Sequence, residues 1–148
     1  MKKFTLKHQF LPTSKSRVLA TIVDFEDFAK FHPVMDSAKL VARPSATEAI
    51  YDVKESVKFF GWLPMHPRYK VLVKCEEDQI VQTAHVMGLM RLRIVLSFTQ
   101  EGETCWLLEN LEVSNIPLLT SLFWKIFSQA HKAAFSKLRQ HIEGNVEP

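Results

Sequence analysis

The sequence predicts an α+β fold: a seven-stranded antiparallel sheet wrapped around a long C-terminal helix, with two short helices after the first strand. Three observations predict it. Ile116 to Ile142 reads as a single amphipathic helix of about seven turns. Ahead of it, six stretches with two-residue alternation are joined by short turns, which makes them antiparallel neighbours in a meander. With 47% apolar residues and only four glycines in 148 positions, the chain can bury a sizeable core as one domain spanning 1–148. A sheet with one-sided faces needs a cover, and the long helix is that cover.

The first strand runs from Lys3 to Leu11, with Phe4, Leu6, His8 and Phe10 on one side and Thr5, Lys7 and Gln9 on the other. Pro12-Thr13-Ser14 forms a turn and N-cap for a short helix over Arg17 to Val23. Asp24 caps a second, in which Phe25, Phe28 and Phe31 lie three apart, and His32-Pro33 ends it. Strands follow at Asp36 to Arg43 and Glu48 to Phe60. The second of these points Tyr51, Val53, Glu55, Val57 and Phe59 inward. After Gly61 to Pro67 the next strand faces in with Tyr69, Val71, Val73 and Cys75. Ile80 to Met87 is less clearly two-faced, and Val81, Thr83, His85 and Met87 are taken as its inner side. Arg91 to Gln100 buries Leu92, Ile94, Leu96 and Phe98, and Thr104 to Val113 buries Cys105, Leu107, Glu109, Leu111 and Val113. In the final helix, Asn115 or Ser114 is the N-cap, Pro117 lies in the first turn and Gly144 just beyond the end. Leu119, Phe123, Ile126, Ala130 and Ala134 step along one face, opposite Lys125, Lys132 and Arg139.

Alternate turns of a meander fall at opposite ends of the sheet. One end collects the polar turns Pro44 to Thr47, Glu76 to Gln79 and Glu101 to Glu103. The other collects Trp62, Leu63, Met65, Met87, Leu89 and Met90 with the start of the long helix. Exposed turns this apolar have three readings: a lid over the core, the rim of an apolar cavity between sheet and helix, or a docking patch for a membrane or partner. On the inner faces four ionisable side chains stand out, His8, Glu55, His85 and Glu109. Buried charge is costly unless paired, so each is either structurally paired or an acid/base candidate. The first strand is expected beside the last, which brings His8 towards Glu109.

Cys75 and Cys105 make no metal spacing, and three strand spacings of a regular sheet put them about 14 Å apart, too far for a disulfide. A net charge of +3 gives no reason to expect nucleic acid. The basic start is interrupted by Lys7, His8 and Gln9, and no apolar run is long enough to span a membrane, so a cytoplasmic location is expected. There is no phosphate-binding glycine loop and no nucleophile-base grouping at a recognisable spacing.

The order of one strand, two short helices, a six-stranded meander and a long helix resembles the helix-grip fold of the START-related (SRPBCC) superfamily, which includes polyketide cyclase/dehydrase-like proteins and the birch-pollen allergen. Phe28-Ala29-Lys30-Phe31-His32-Pro33 is similar to that superfamily's lead into its second strand, and Ile116 to Ile142 to its closing helix. The glycine-rich turn of some plant members is absent at Pro44 to Thr47, and so is the histidine-carboxylate constellation of the oxygenase type. The resemblance implies a hydrophobic cavity without naming a substrate. The expected function is binding or transport of a small hydrophobic molecule, a lipid, quinone or polyketide-like aromatic. Its expected lining is Tyr51, Val53, Phe59, Tyr69, Val71, Leu96, Phe98 and Leu107 from the sheet, and Leu119, Phe123, Ile126 and Ala130 from the helix. A cyclase, dehydratase or isomerase using the four ionisable groups is the alternative. An interaction module using the apolar tips, by transient membrane contact or as a homodimer, is the third. No cofactor and no metal are expected.

Overall fold

The computed structural model describes residues 2–59, 61–86, 90–114 and 117–144, with 2, 59 and 117–121 described by backbone alone. Strand β1 (Lys2–Phe10) is followed by helices α1 (Lys15–Val23) and α2 (Phe25–Ala29). Then come β2 (Met35–Ser45), β3 (Glu48–Glu55), β4 (Val57–Phe59), β5 (Leu63–Met65), β6 (Arg68–Glu76), β7 (Gln79–Val86), β8 (Met90–Glu101), β9 (Thr104–Ser114) and helix α3 (Pro117–Gly144). Seven strands form one sheet in the order β1-β9-β8-β7-β6-β3-β2, every neighbour antiparallel, as the meander requires. The first strand does lie beside the last, through pairs such as Leu6 with Glu109 and His8 with Leu107.

The helix starts are fixed as the sequence indicates. Ser14 accepts the Arg17 N–H and Asp24 the Asp27 N–H, each satisfying a first-turn donor. Val18 and Ile22 of α1, and Phe25, Phe28 and Ala29 of α2, then point into the core. Glu26 holds α2 to the sheet by accepting the Leu40 N–H of β2 at 2.7 Å. The proposed cap Asn115 and the residue Ile116 lie outside the described residues. On α3 the buried stripe is Phe127, Ala130, His131, Ala134, Phe135, Leu138 and Ile142, with Lys125, Lys132 and Arg139 exposed behind it. Phe135 anchors the helix, packing its ring on His8, Phe10 and Phe28, and Trp124 stacks on Phe4 at 4.2 Å. Both cysteines are free.

Two expectations are corrected. The strand expected from Glu48 to Phe60 breaks after Glu55, and β4 and β5 form a separate two-stranded hairpin that turns at Gly61, whose φ is +78°. The backbone explains the break: Glu55 N–H goes to the Pro67 carbonyl and Ser56 N–H to the Val34 carbonyl, while Pro64 and Pro67 have no N–H to extend the β6 ladder. Strand β7 is turned over relative to the expected inner face of Val81, Thr83, His85 and Met87. Ile80, Gln82, Ala84 and Val86 are buried instead, opposite Leu96, Ile94, Leu92 and Met90 of β8. Register with the strongly alternating β8 decides the face, and one residue of slip exchanges every side chain. His85 is therefore exposed, and Gln82 is enclosed.

Candidate functional site

Between the concave face of the sheet, the segment from α2 to β2, and α3 lies a cavity of about 80 Å³. Aromatic walls come from Phe25 and Phe28 on α2 and from Phe123 and Phe127 on α3. The sheet contributes Val71, Ala84, Leu92 and Ile94. Five side chains with polar atoms, His32, Glu55, Tyr69, Gln82 and His131, also line it. This is the composition of a ligand pocket, an apolar lining with a few convergent polar groups. Val86 and Glu55 on the wall immediately precede the β7–β8 tip and the β4–β5 hairpin, so the cavity adjoins the apolar end of the sheet.

Of the expected lining residues, Tyr69, Val71 and Phe123 stand on the wall, as does Glu55. Tyr51, Val53, Leu96, Phe98, Leu107 and Ala130 are buried in the surrounding core, and Ile126 is half-buried. The Phe59 and Leu119 side chains lie outside the described residues. Among the expected rim residues, Trp62 is 72% exposed, Leu63 is exposed, and Met65 and Met90 are half-buried. Met87 and Leu89 lie outside the described residues.

The four ionisable candidates fall in three places. His85 is on the solvent side. Glu55 ends β3, where burial, assisted by the nearby Asp36 carboxylate, pushes its carboxyl up to about 7, and the Tyr69 hydroxyl donates to its Oε1. Glu109, 1% exposed, accepts from His8 Nε2 at 2.7 Å and from His131 Nδ1 at 2.8 Å. Burial alone would raise the Glu109 carboxyl, but the two histidines outweigh it and hold it down at about 2. His8 reaches Glu109 because β1 and β9 pair: it sits two residues along from Leu6, the cross-strand partner, on the same face.

Three polar groups on the wall were missed in the sequence. His131 lies four residues from both Phe127 and Phe135, in the middle of the buried stripe, and that spacing was the available signal. Its ring stacks on Phe127 at 3.8 Å. His32, beyond α2, was legible as the end of that helix and as part of the lead into the second strand, but not as a wall group; burial and then His131 push its imidazole down to about 3, overcoming the opposite pull of Glu109. Gln82 was hidden by the ambiguous alternation of β7.

No family model matches the sequence, and no curated protein does. Solved structures do match. A protein of Thermus thermophilus superposes with a TM-score of 0.80 at 16% identity, over 99% of this chain and 100% of that one. A START superfamily protein from Mycobacterium smegmatis gives 0.70 at 15% identity, over 93% and 97%. An aromatase/cyclase from Streptomyces sp. R1128 gives 0.73 at 8% identity, over 95% and 96%. Identities this low establish shared architecture rather than shared chemistry. The chain has the helix-grip fold of the START-like superfamily.

Proposed function

We propose that the protein binds a small hydrophobic molecule in the cavity between the sheet and α3. The observation that carries this reading is the cavity's composition: four phenylalanines and a set of aliphatic side chains enclose a space into which only a few polar groups reach. Apolar burial drives binding, at about 25 cal/mol per Å² before ordering costs, and the polar groups fix orientation. Access is from the end carrying Trp62, Leu63 and Met65, which the exposure of Trp62 supports. A membrane or partner protein that delivers the ligand would touch the molecule there. No described helix is long and apolar enough to cross a membrane.

A second reading is acid/base catalysis in the same cavity, favoured by Glu55, whose pKa near 7 lets it hold or release a proton at working pH. The Streptomyces neighbour, an aromatase/cyclase, makes that reading compatible with the fold. The test of the first reading is uptake of naphthalene by the purified protein, alongside native mass spectrometry for a co-purifying molecule. Phe123→Glu places a charge on the apolar wall and is expected to abolish uptake with the far-UV spectrum unchanged. Equal uptake by that variant would overturn the reading.

A further inference from the structure

An ionised carboxylate only accepts hydrogen bonds, so the ring nitrogens facing Glu109 both carry hydrogens. His131 donates from Nδ1 to Oε2, and His8 from Nε2 to Oε1. The two nitrogens of an imidazole point to different sides of the ring. With Nδ1 committed to Glu109 on β9, Nε2 of His131 lies on the other side of the ring from that carboxylate, and His131 belongs to the cavity wall. In the neutral ring, that nitrogen is a lone-pair acceptor in an aromatic enclosure. His32 stands beside it, ring centres 5.2 Å apart and planes at 88°. The His32 imidazole is neutral, and its Nδ1 accepts the Val34 N–H, which leaves its hydrogen on Nε2. Two neighbouring residues of the cavity wall therefore carry an acceptor nitrogen and a donor N–H. On the sheet wall Gln82 is 5% exposed, and its enclosed Nε2 has no partner among the described residues, a cost that a bound polar atom would remove.

We propose that His131 is the cavity's proton acceptor and that the ligand is a compact aromatic molecule bearing one weakly acidic hydroxyl, a phenol or an enol, whose O–H bonds to His131 Nε2. This rests on the binding function above and specifies its occupant. A hydroxyl satisfies both members of the pair, giving its hydrogen to His131 while its oxygen accepts. A ketone has no hydrogen for Nε2, and a carboxylate would bring a second anion within one imidazole of Glu109. Phe25, Phe28, Phe123 and Phe127 supply ring faces for an aromatic body. When the proton moves, the ligand O–H bond breaks, its electron pair stays on oxygen and an N–H bond forms at Nε2. Glu109 then faces an imidazolium, whose charge it stabilises, as a carboxylate does behind any histidine base.

The probe is 2-naphthol, with naphthalene as its counterpart lacking the hydroxyl. Excited naphthol is a far stronger acid than in its ground state, and it emits to the red only after losing its proton to an acceptor. Bound to the wild-type protein, it is expected to emit as naphtholate. In His131→Asn, the side-chain amide can still donate to Glu109 but offers no second ring nitrogen. That variant is expected to show neutral naphthol emission and roughly tenfold weaker naphthol binding, while naphthalene binds both proteins equally. 2-Methoxynaphthalene, which keeps the oxygen but has no hydrogen to give, is expected to bind the wild type roughly tenfold more weakly than 2-naphthol, a comparison that holds even if His131→Asn does not fold. Neutral emission from naphthol bound to the wild type overturns the proposal, as does an undiminished naphtholate band in His131→Asn or equal binding of 2-naphthol and 2-methoxynaphthalene by the wild type. Binding of naphthalene with exclusion of naphthol overturns it and leaves the cavity function standing. Exclusion of both overturns the two together.

Discussion

Glu55 and Glu109 sit on strands of one sheet, both withdrawn from solvent, and their chemistry diverges. Glu109 is the more deeply buried, yet it is held down at about 2, because His131 and His8 each bring a hydrogen to one of its oxygens. Glu55 is half-buried and pushed up to about 7, because burial disfavours its charge and the Asp36 carboxylate adds to that, with the Tyr69 hydroxyl as its hydrogen-bond donor. Depth alone would order the two the other way. Partners decide what a buried carboxylate becomes: a fixed anion that positions histidines, or a group that exchanges a proton near neutrality.

The largest test of that contrast removes the fixed anion. Glu109→Leu strands His8 and His131 without their acceptor and is expected to cost about 3 kcal/mol in urea unfolding. The signs of the pH dependence follow from the shifts. Glu109 has a depressed folded pKa, so its contribution is complete above its ordinary value near 4.5 and is lost as pH falls towards 2. His32 also has a depressed folded pKa, so stability declines as pH falls below its ordinary 6.5 towards 3. Glu55 acts oppositely. Its raised pKa means stability increases as pH falls from 7 towards 4.5. Wild-type unfolding free energy should therefore be nearly level across the 4.5–6.5 interval, where His32 and Glu55 oppose each other, and drop steeply below it. The Glu109→Leu variant should lose much of that acid limb.

A smaller effect, of the opposite sign, is expected at Glu55. Glu55→Gln removes a carboxylate that resists ionisation, and should stabilise the protein by about 2 kcal/mol at pH 8 and very little at pH 4.5. A uniform effect at both pH values would show that Glu55 titrates normally. Smaller still, Tyr69→Phe deletes the hydroxyl donor to Glu55 and should cost about 1 kcal/mol. Loss of that donor should move the Glu55 titration, followed by carboxyl NMR, further up.

Half of this contrast was legible in the sequence. A meander topology with the first strand closing on the last is enough to bring His8 to Glu109, and the inward parity of Glu55 survives on β3. The helix partner His131 was lost because α3 was read by its apolar members, and a histidine flanked by Phe127 and Phe135 at four-residue spacing belongs to the same stripe. Strand β7 misled because Ile80, Val81, Ala84 and Val86 distribute apolar residues over both faces. Only pairing with β8, a tertiary fact, selects Gln82 for the interior and His85 for solvent. The end of β3 was overrun because Val57 and Phe59 continue the alternation, while the prolines that forbid further pairing lie in the partner segment.

The hydrogen bond from His8 to Glu109 joins residues 101 positions apart, and β1 pairs with β9 along its whole length. On the ribosome, β1 must wait for nearly all of the remaining sheet before its partner edge exists. Until then it is a free strand with an apolar face, the kind of segment that associates with the wrong neighbour or is held by a chaperone. Lys3 and Lys7, both on its opposite face, are charges of the type that keep such a strand from pairing with other nascent chains. Closing the sheet by its most distant contact also places this domain among slow folders for its size, so the grip on the helix is a late event of synthesis.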